Sequence, residues 1–576
     1  MAVNVVAIIV LVIFYLAILV VGVVAAWKVK VKSKETGVTG GLETSLVAGR
    51  DLKTIVGIFT MIATTVGGGY INGTAESIAR DGIIWTLAPL GIFIGLNMGG
   101  ALFAKRMREQ EYLTMLDPFQ KHYGNVVTIL VYFASLMGDL LWSASILNAL
   151  GTTLSVIAGF ELSTAVIMSG SVTIIYTTIG SMISVAYTDV AQLVLIVVGL
   201  VLSLPFIFTN DSIGDLMDSK DVWLGQVDTD MWGVWGDLLV AMTLGTIPWQ
   251  SYFQRVLSVR SARQAQVLSF IGAFGAVVLV IPSVMIGMAG ASADWANTTL
   301  GSSPIGTNKS SLILPLVINE FTPSVVSVFG LGAISAAVMS SMDSAVLGTS
   351  SMFTHNIYEV MFRPKASKKE LKIMHISAVI FFGCMCMLIA LSSSVIYGMF
   401  ILAADFVFVI IFPQLTALLY FPKYTNTVGS IAGFFFGLLL RVGAGESVIN
   451  MPVWIFFPFY HSTKGQLFPF RSFAMITSFV TIFAVTFVTR LKYFKHIFKR
   501  CEQELCNEEQ MGQLMKDTSG HLERENTAVD QDYPDQLSKH QALSPSEYTL
   551  TASSRTDFKS DVMSNGHFRK LDDRVI

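Results

Sequence analysis

The residues with the clearest chemical signature are Thr64-Thr65-Val66-Gly67-Gly68-Gly69-Tyr70-Ile71-Asn72-Gly73-Thr74, which lie inside an otherwise apolar run. A glycine in a helix interior costs about 1 kcal/mol relative to alanine. Backbone polar groups left unpaired in hydrocarbon cost several kcal/mol apiece. A triple-glycine break therefore belongs where freed carbonyls face a protein-lined cavity and bind something. A second interruption, Leu244-Gly245-Thr246-Ile247-Pro248-Trp249-Gln250, sits within another apolar run far down the chain. Broken helices paired across two halves of a chain point to the binding site of a secondary transporter. The chemistry on offer is ion and solute binding rather than bond cleavage.

The elements that must position these breaks follow from composition. Of 576 residues, 53% are hydrophobic and 14% charged, against about 25% charged in soluble domains. The net charge of −2 selects no charged partner, and no nucleic acid is expected. Cys384, Cys386, Cys501 and Cys506 are too few and badly placed for a disulfide framework, and the Cys384-x-Cys386 pair reads as core packing. There is no Walker loop, dinucleotide fingerprint, HExxH or nucleophile elbow. No catalytic residue and no resident cofactor are expected, and an ion gradient is the natural energy source.

Apolar runs near the spanning length of about 20 residues recur at 6–26, 55–79, 84–104, 125–148, 163–180, 186–208, 234–254, 267–291, 326–355, 374–394, 397–421, 428–445 and 472–490, thirteen in all. The first lacks a basic leader and is long enough to span, so it is not read as a signal peptide. Basic clusters at Lys28/Lys30/Lys32/Lys34, Lys105/Arg106/Arg108, Arg255/Arg260/Arg263, Arg363/Lys365/Lys368/Lys369/Lys372 and Arg490 to Arg500 then share one side. The positive-inside rule makes that side cytoplasmic, with the N-terminus outside and the C-terminus inside. Glycosylation acceptors Asn210, Asn297 and Asn308 all fall in outer loops, whereas the match at Asn72 lies within a span. Residues 493–576 are polar without apolar periodicity and read as a disordered cytoplasmic tail that binds trafficking proteins.

The broken second span resembles the first core helix of the sodium:solute symporter family, which uses a LeuT-type inverted repeat. In that resemblance its partner is Ser335-Ala336-Ala337-Val338-Met339-Ser340-Ser341-Met342-Asp343-Ser344 on the ninth span. Hydroxyls and carbonyls are the hard oxygen ligands that suit sodium. Ala337 and Ser341 are four apart and Ser340 is adjacent, so all three can face one point. With the carbonyls of Ala63 and Val66 they make a five-oxygen set that matches the family's sodium site. The alternative is that these small residues only permit close helix packing. Acids in apolar spans are functional candidates. The resemblance puts Asp189, in Tyr187-Thr188-Asp189-Val190, on the sodium exit route, and Asp343 lies three residues after Ser340. Asp139 and Asp405 are also mid-span, either on an ion path or paired with a neighbouring helix.

Within the family the chain is most similar to the choline-transporting branch, over roughly residues 1 to 490. The similarity runs through Gly67 to Glu76, Thr114 to Gln120, Val185 to Val190, Ile247 to Gln250, Tyr252 to Ser258, Ser335 to Ser341 and Ile411 to Gln414. A quaternary ammonium has no N–H to donate, so its recognition rests on aromatic faces worth from about 0.5 to over 2 kcal/mol each. Trp249 and Trp142 match pocket tryptophans of that branch, although tryptophans also build interfacial belts. Three positions depart. Thr65 stands where the branch has a cage tryptophan, Ile92 where it has a tyrosine, and Met399-Phe400-Ile401 where it has Leu-Trp-Tyr. Two lost faces remove on the order of 1–4 kcal/mol of attraction, about tenfold to nearly a thousandfold in affinity, unless Tyr70 or Phe400 compensates.

The expected fold is an all-α polytopic membrane protein of about thirteen transmembrane helices, with a LeuT-type five-plus-five inverted repeat and two broken core helices. Its parts are 1–54 (first span and basic loop), 55–208 (first repeat), 209–233 (outer loop), 234–421 (second repeat), 422–492 (last two spans) and 493–576 (tail). The expected function is sodium-driven import of choline across the plasma membrane. The resemblance also implies chloride dependence, supply of acetylcholine synthesis and a presynaptic site. The alternatives are a sodium symporter for a sugar, amino acid or carboxylate, for which the Thr65 hydroxyl would serve, and a non-transporting ligand sensor or sodium leak of the same fold.

Overall fold

A computed structural model describes residues 5–35, 46–179, 182–305, 309–393 and 395–491. Asn308 and the expected tail, 493–576, lie outside these residues. Among the described residues the chain is helical and forms no strand beyond isolated bridges. Among the described residues eight helices are long and apolar enough to cross a membrane, and Thr54–Thr65 with Gly68–Asp81, bent by 44°, makes a ninth when taken as one broken span. The remaining apolar runs coincide with the shorter helices Ile8–Gly22, Leu162–Thr178 and Thr427–Gly443, and with the successive helices Trp232–Gly245 and Gln250–Ser258. Each run read from the sequence thus meets a helix or a broken pair.

The two breaks arise differently. In the second span the Val66 N–H makes the last helical bond, to Ile62 O at 2.8 Å, and Gly67 is extended (φ −97°, ψ −177°). Gly68 and Gly69 already belong to the next helix, so they do not interrupt the backbone. They are small because neighbours press on them. A Cβ on Gly68 would lie 2.7 Å from Ala149 Cβ and Val338 Cγ2, and one on Gly69 would lie 2.7 Å from Ser145 Oγ. One glycine makes the break, and the other two let the fourth and ninth spans close on it. In the seventh span the helix stops at Gly245, whose absent Cβ would sit 2.3 Å from Ala404 O. Pro248 has no N–H to continue the ladder, and Trp249 is extended (φ −111°, ψ 134°) before Gln250–Ser258 begins.

Long-range polar contacts lock the outer spans to the core. Asp405 Oδ2 of the eleventh span accepts from Arg441 Nε of the twelfth at 2.8 Å and from Arg471 Nε of the thirteenth at 2.7 Å. Arg441 also reaches Glu446 at 2.7 Å. Asp237 of the seventh span caps the thirteenth by accepting the backbone N–H groups of Arg471 and Ser472 at 3.0 and 2.7 Å. Asp139 accepts from Thr349 of the ninth span at 2.6 Å. Asp139 and Asp405 therefore do pair with neighbouring helices.

Two residues counted with exposed basic clusters are buried. Arg255 is 0% exposed, and Arg108 donates to the carbonyls of Val259 and Arg260 at 2.7 and 3.1 Å. Arg260, Arg263, Lys105 and Arg106 remain exposed, so each cluster still presents positive charge. The miss arises because Arg255 follows a break that turns its half-helix back into the protein. Replacing Arg441 by methionine would take the ion-pair partner from Glu446 and leave Asp405 with Arg471 alone. Removing one partner of a buried pair costs about 3–5 kcal/mol. The expected outcome is a clear fall in apparent melting temperature of the detergent-solubilised protein, measured beside the exposed-site variant Lys105→Met, which should leave it unchanged.

Candidate functional site

Between the two breaks lies a small cavity of about 60 Å³. The second span contributes Met61, Thr64 and Thr65, the third Ile92 and Leu96, and the fourth Trp142. The seventh adds Met242, Thr246, Trp249, Ser251 and Tyr252, and the eleventh Phe400 and Ala404. Trp142 and Trp249 meet edge to face, centroids 5.1 Å apart and planes at 70°, the geometry aromatic quadrupoles favour. The Trp249 indole N–H donates to Gly245 O at 2.6 Å, satisfying a carbonyl that the helix end leaves without an intrahelical partner.

The polarity of this cavity is lopsided. Its lining holds no Asp, Glu, Lys or Arg among the described residues. The hydroxyls of Thr64, Thr65 and Thr246 donate to their own helices, to Thr60 O, Met61 O and Met242 O at 2.7, 2.8 and 2.6 Å. The Ser269 hydroxyl donates to Ala265 O at 2.9 Å, which leaves the Tyr252 hydroxyl to donate to Ser269 Oγ at 2.8 Å. These hydrogens are engaged inside the protein. What faces the cavity is aromatic surface, two thioethers, the Ser251 hydroxyl and the threonine hydroxyl oxygens, which are able to accept.

Beside the cavity is a cluster of buried oxygens. Ser341 Oγ of the ninth span donates to Ala63 O and Thr64 O, both at 3.3 Å, the carbonyls next to the break. A Cβ on Gly67 would lie 2.1 Å from that hydroxyl, so only glycine admits Ser341 here. Ser340 Oγ donates to Asp189 Oδ1 at 2.6 Å, and Thr60 donates to Oδ2 of the same carboxylate. Asp343 accepts from Thr177 of the fifth span through Oδ1, while its buried Oδ2 has no hydrogen-bond partner. Val66 is fully buried at the bend, and Ala337 lies on the ninth-span helix.

Of the residues singled out from the sequence, Trp249, Trp142, Thr65, Ile92 and Phe400 line the one cavity. Ala63, Ser340, Ser341 and Asp189 gather in the oxygen cluster. Tyr70 is not on the cavity lining; its hydroxyl donates to Ala276 O of the eighth span at 3.2 Å. Asp343 faces the fifth span. Tyr252 lines the cavity and was passed over, although it lies four residues beyond Pro248. Arg255 was also missed: its guanidinium donates to Ser344 Oγ at 2.5 Å and stands 3.6 Å from Asp189 Oδ2. A basic residue at the end of an apolar run was the signal for it. Asn297 is exposed, Asn210 half-buried, and Asn72 buried in the core.

Comparison with known proteins agrees with this geometry. A model of the sodium:solute symporter family matches residues 46–437. High-affinity choline transporter 1 of Torpedo marmorata is 45% identical over 518 residues, covering 86% of this chain and 88% of that protein. The human high affinity choline transporter 1 is 44% identical over 503 residues, covering 85% and 86%. A solved structure of a Na+-coupled sialic acid symporter, substrate-bound and outward-open, superposes with a TM-score of 0.65 at 16% identity, covering 84% of this chain and 98% of that one. The backbone thus follows the LeuT-type plan of a sodium-coupled symporter, and the chain belongs to the sodium:solute symporter family.

Proposed function

We propose that this protein imports choline across the plasma membrane, driven by sodium moving inward. The observation that carries the reading is the cavity lining. Trp142, Trp249, Tyr252 and Phe400 present aromatic surface, while the hydroxyl hydrogens of Thr64, Thr65 and Thr246 are engaged by their own helices. A sugar, amino acid or carboxylate needs donors aimed at it. A quaternary ammonium needs aromatic faces, and its alcohol needs an acceptor such as Thr65 Oγ1. Tyr252 and Phe400 supply faces that Thr65 and Ile92 do not. The relatives at 44–45% identity are named for choline transport, which supports the same substrate.

Sodium binds where the second-span break meets the ninth span, on Ala63 and Val66 carbonyls, Ala337 and the Ser340 and Ser341 hydroxyls. Asp189 is the acid on its route, and Asp343 assists. Alternating access rocks the two five-span repeats, 55–208 and 234–421, about this midplane site. Chloride dependence, supply of acetylcholine synthesis and a presynaptic location belong to the same reading. So do an outer N-terminus, glycans at Asn210, Asn297 and Asn308, and an inner tail that meets trafficking proteins.

Labelled-choline uptake into cells expressing the chain tests the function. Uptake should occur in sodium and vanish when an inert cation replaces it. Trp249→Ala should raise the half-saturating choline concentration about 30-fold, the equivalent of about 2 kcal/mol for a desolvated cation–π contact. Absence of uptake from protein present at the surface would rule out choline. Gly67→Ala addresses the ion site separately, since the added methyl must push Ser341 off Ala63 and Thr64. Its expected effect is a rise of at least about tenfold in half-saturating sodium, about 1.4 kcal/mol, with surface expression retained. An unchanged sodium curve would remove Ser341 from the ion site.

A further inference from the structure

The guanidinium of Arg255 is wholly buried and gripped from three elements. Nη2 donates to Ser344 Oγ of the ninth span at 2.5 Å and stands 3.6 Å from Asp189 Oδ2 of the sixth. Nη1 donates to Ser251 O and Gln254 Oε1 of its own half-helix at 3.2 and 3.0 Å. Nε has no hydrogen-bond partner. Asp189 accepts Ser340 and Thr60 on its other sides. Ser344 in turn lies 3.3 Å from Thr64 Oγ1, which lines the cavity. A single buried carboxylate is thus shared between hydroxyls that suit sodium and a cation built into the chain.

A buried carboxylate requires a counter-charge, and a guanidinium and a sodium ion are rivals for that role. The approach at 3.6 Å is longer than the short charge-assisted bonds Arg forms in bidentate pairs, so the hold on Asp189 is one that a small hard cation can replace. Arg255 does not move alone. It sits on Gln250–Ser258, the half-helix that follows Trp249 and carries Ser251 and Tyr252 in the cavity wall. We propose that Arg255 is a tethered counter-ion that sodium displaces from Asp189, so that ion occupancy sets the position of one wall of the substrate cavity. The inference rests on the sodium-coupled reading above. It gives the ion and the solute a mechanical connection, and it keeps Asp189 neutralised when sodium is absent.

The test is a sodium titration of purified, choline-free protein in a potassium background at constant chloride, with thermal stability as the readout. Arg255→Gln removes the rival charge and keeps a polar group beside Ser251. Ion binding stabilises the fold in proportion to its affinity, so the half-saturating sodium concentration should fall by at least about tenfold in this variant. Arg255→Lys retains the charge and should stay within about threefold of the native value. Equal midpoints for the native protein and Arg255→Gln would overturn the proposal. Hydrogen–deuterium exchange of the native protein covers a variant that does not fold. Sodium should raise exchange across residues 250–258 while protecting residues 60–67. Unchanged or lower exchange across 250–258 would also overturn it. Sodium without effect on either stability or exchange would overturn the sodium-coupled reading itself, and the proposal with it.

Discussion

The arrangement depends on one close approach. Ser341 of the ninth span sits against Gly67, where a Cβ would meet its hydroxyl at 2.1 Å. Because Gly67 is extended, the second span ends its first half at Thr65 and turns by 44° into Gly68–Asp81. Carbonyls that a continuous helix would consume are left beside a serine hydroxyl instead. In hydrocarbon such groups are tolerated only where protein or a bound ion satisfies them. The constraint acts in both directions, since a bulkier residue at 67 displaces Ser341 and a straight helix removes its acceptors.

Cavity and oxygen cluster are parts of one site because they share residues. Thr64 offers its carbonyl to Ser341 and its side chain to the cavity wall, and its hydroxyl neighbours Ser344. The seventh span repeats the plan. Its break places Trp249 and Tyr252 on the cavity, while the following turn carries Arg255 to Asp189. Five spans, the second, fifth, sixth, seventh and ninth, thus converge on a few buried oxygens through side chains from Thr60, Thr177, Asp189, Arg255 and Ser340. Movement of any one of them changes the surroundings of the others.

Much of this was legible in the sequence. Thirteen apolar runs and two interruptions are long-range statistical features of a chain in lipid, and both survive without knowledge of packing. Ser340 and Ser341 stand out in the sequence through their spacing on one helix and through the family resemblance, and Ser341 does meet Ala63 O and Thr64 O at the break. Side-chain direction was not legible. Tyr70 lies within the glycine motif, yet helix Gly68–Asp81 turns it toward Ala276 on the far side. Arg255 ends an apolar run but sits in a basic stretch, and its spacing alone does not show that its half-helix folds back into the protein. The two extra glycines were read as backbone breaks, whereas their function is to let Ala149, Val338 and Ser145 come close. Each miss concerns which face of a short helix meets which neighbour, and that is fixed by tertiary contacts rather than by local spacing.

In the proposed function, ion and solute share one coupled site. The most direct test is equilibrium binding of labelled choline to the purified protein in sodium and in potassium, with sodium binding then measured with and without choline. Coupling between two sites must be reciprocal. Sodium should tighten choline binding, and choline should tighten sodium binding by the same factor. Choline bound equally well in potassium, or without effect on sodium affinity, would contradict that coupling.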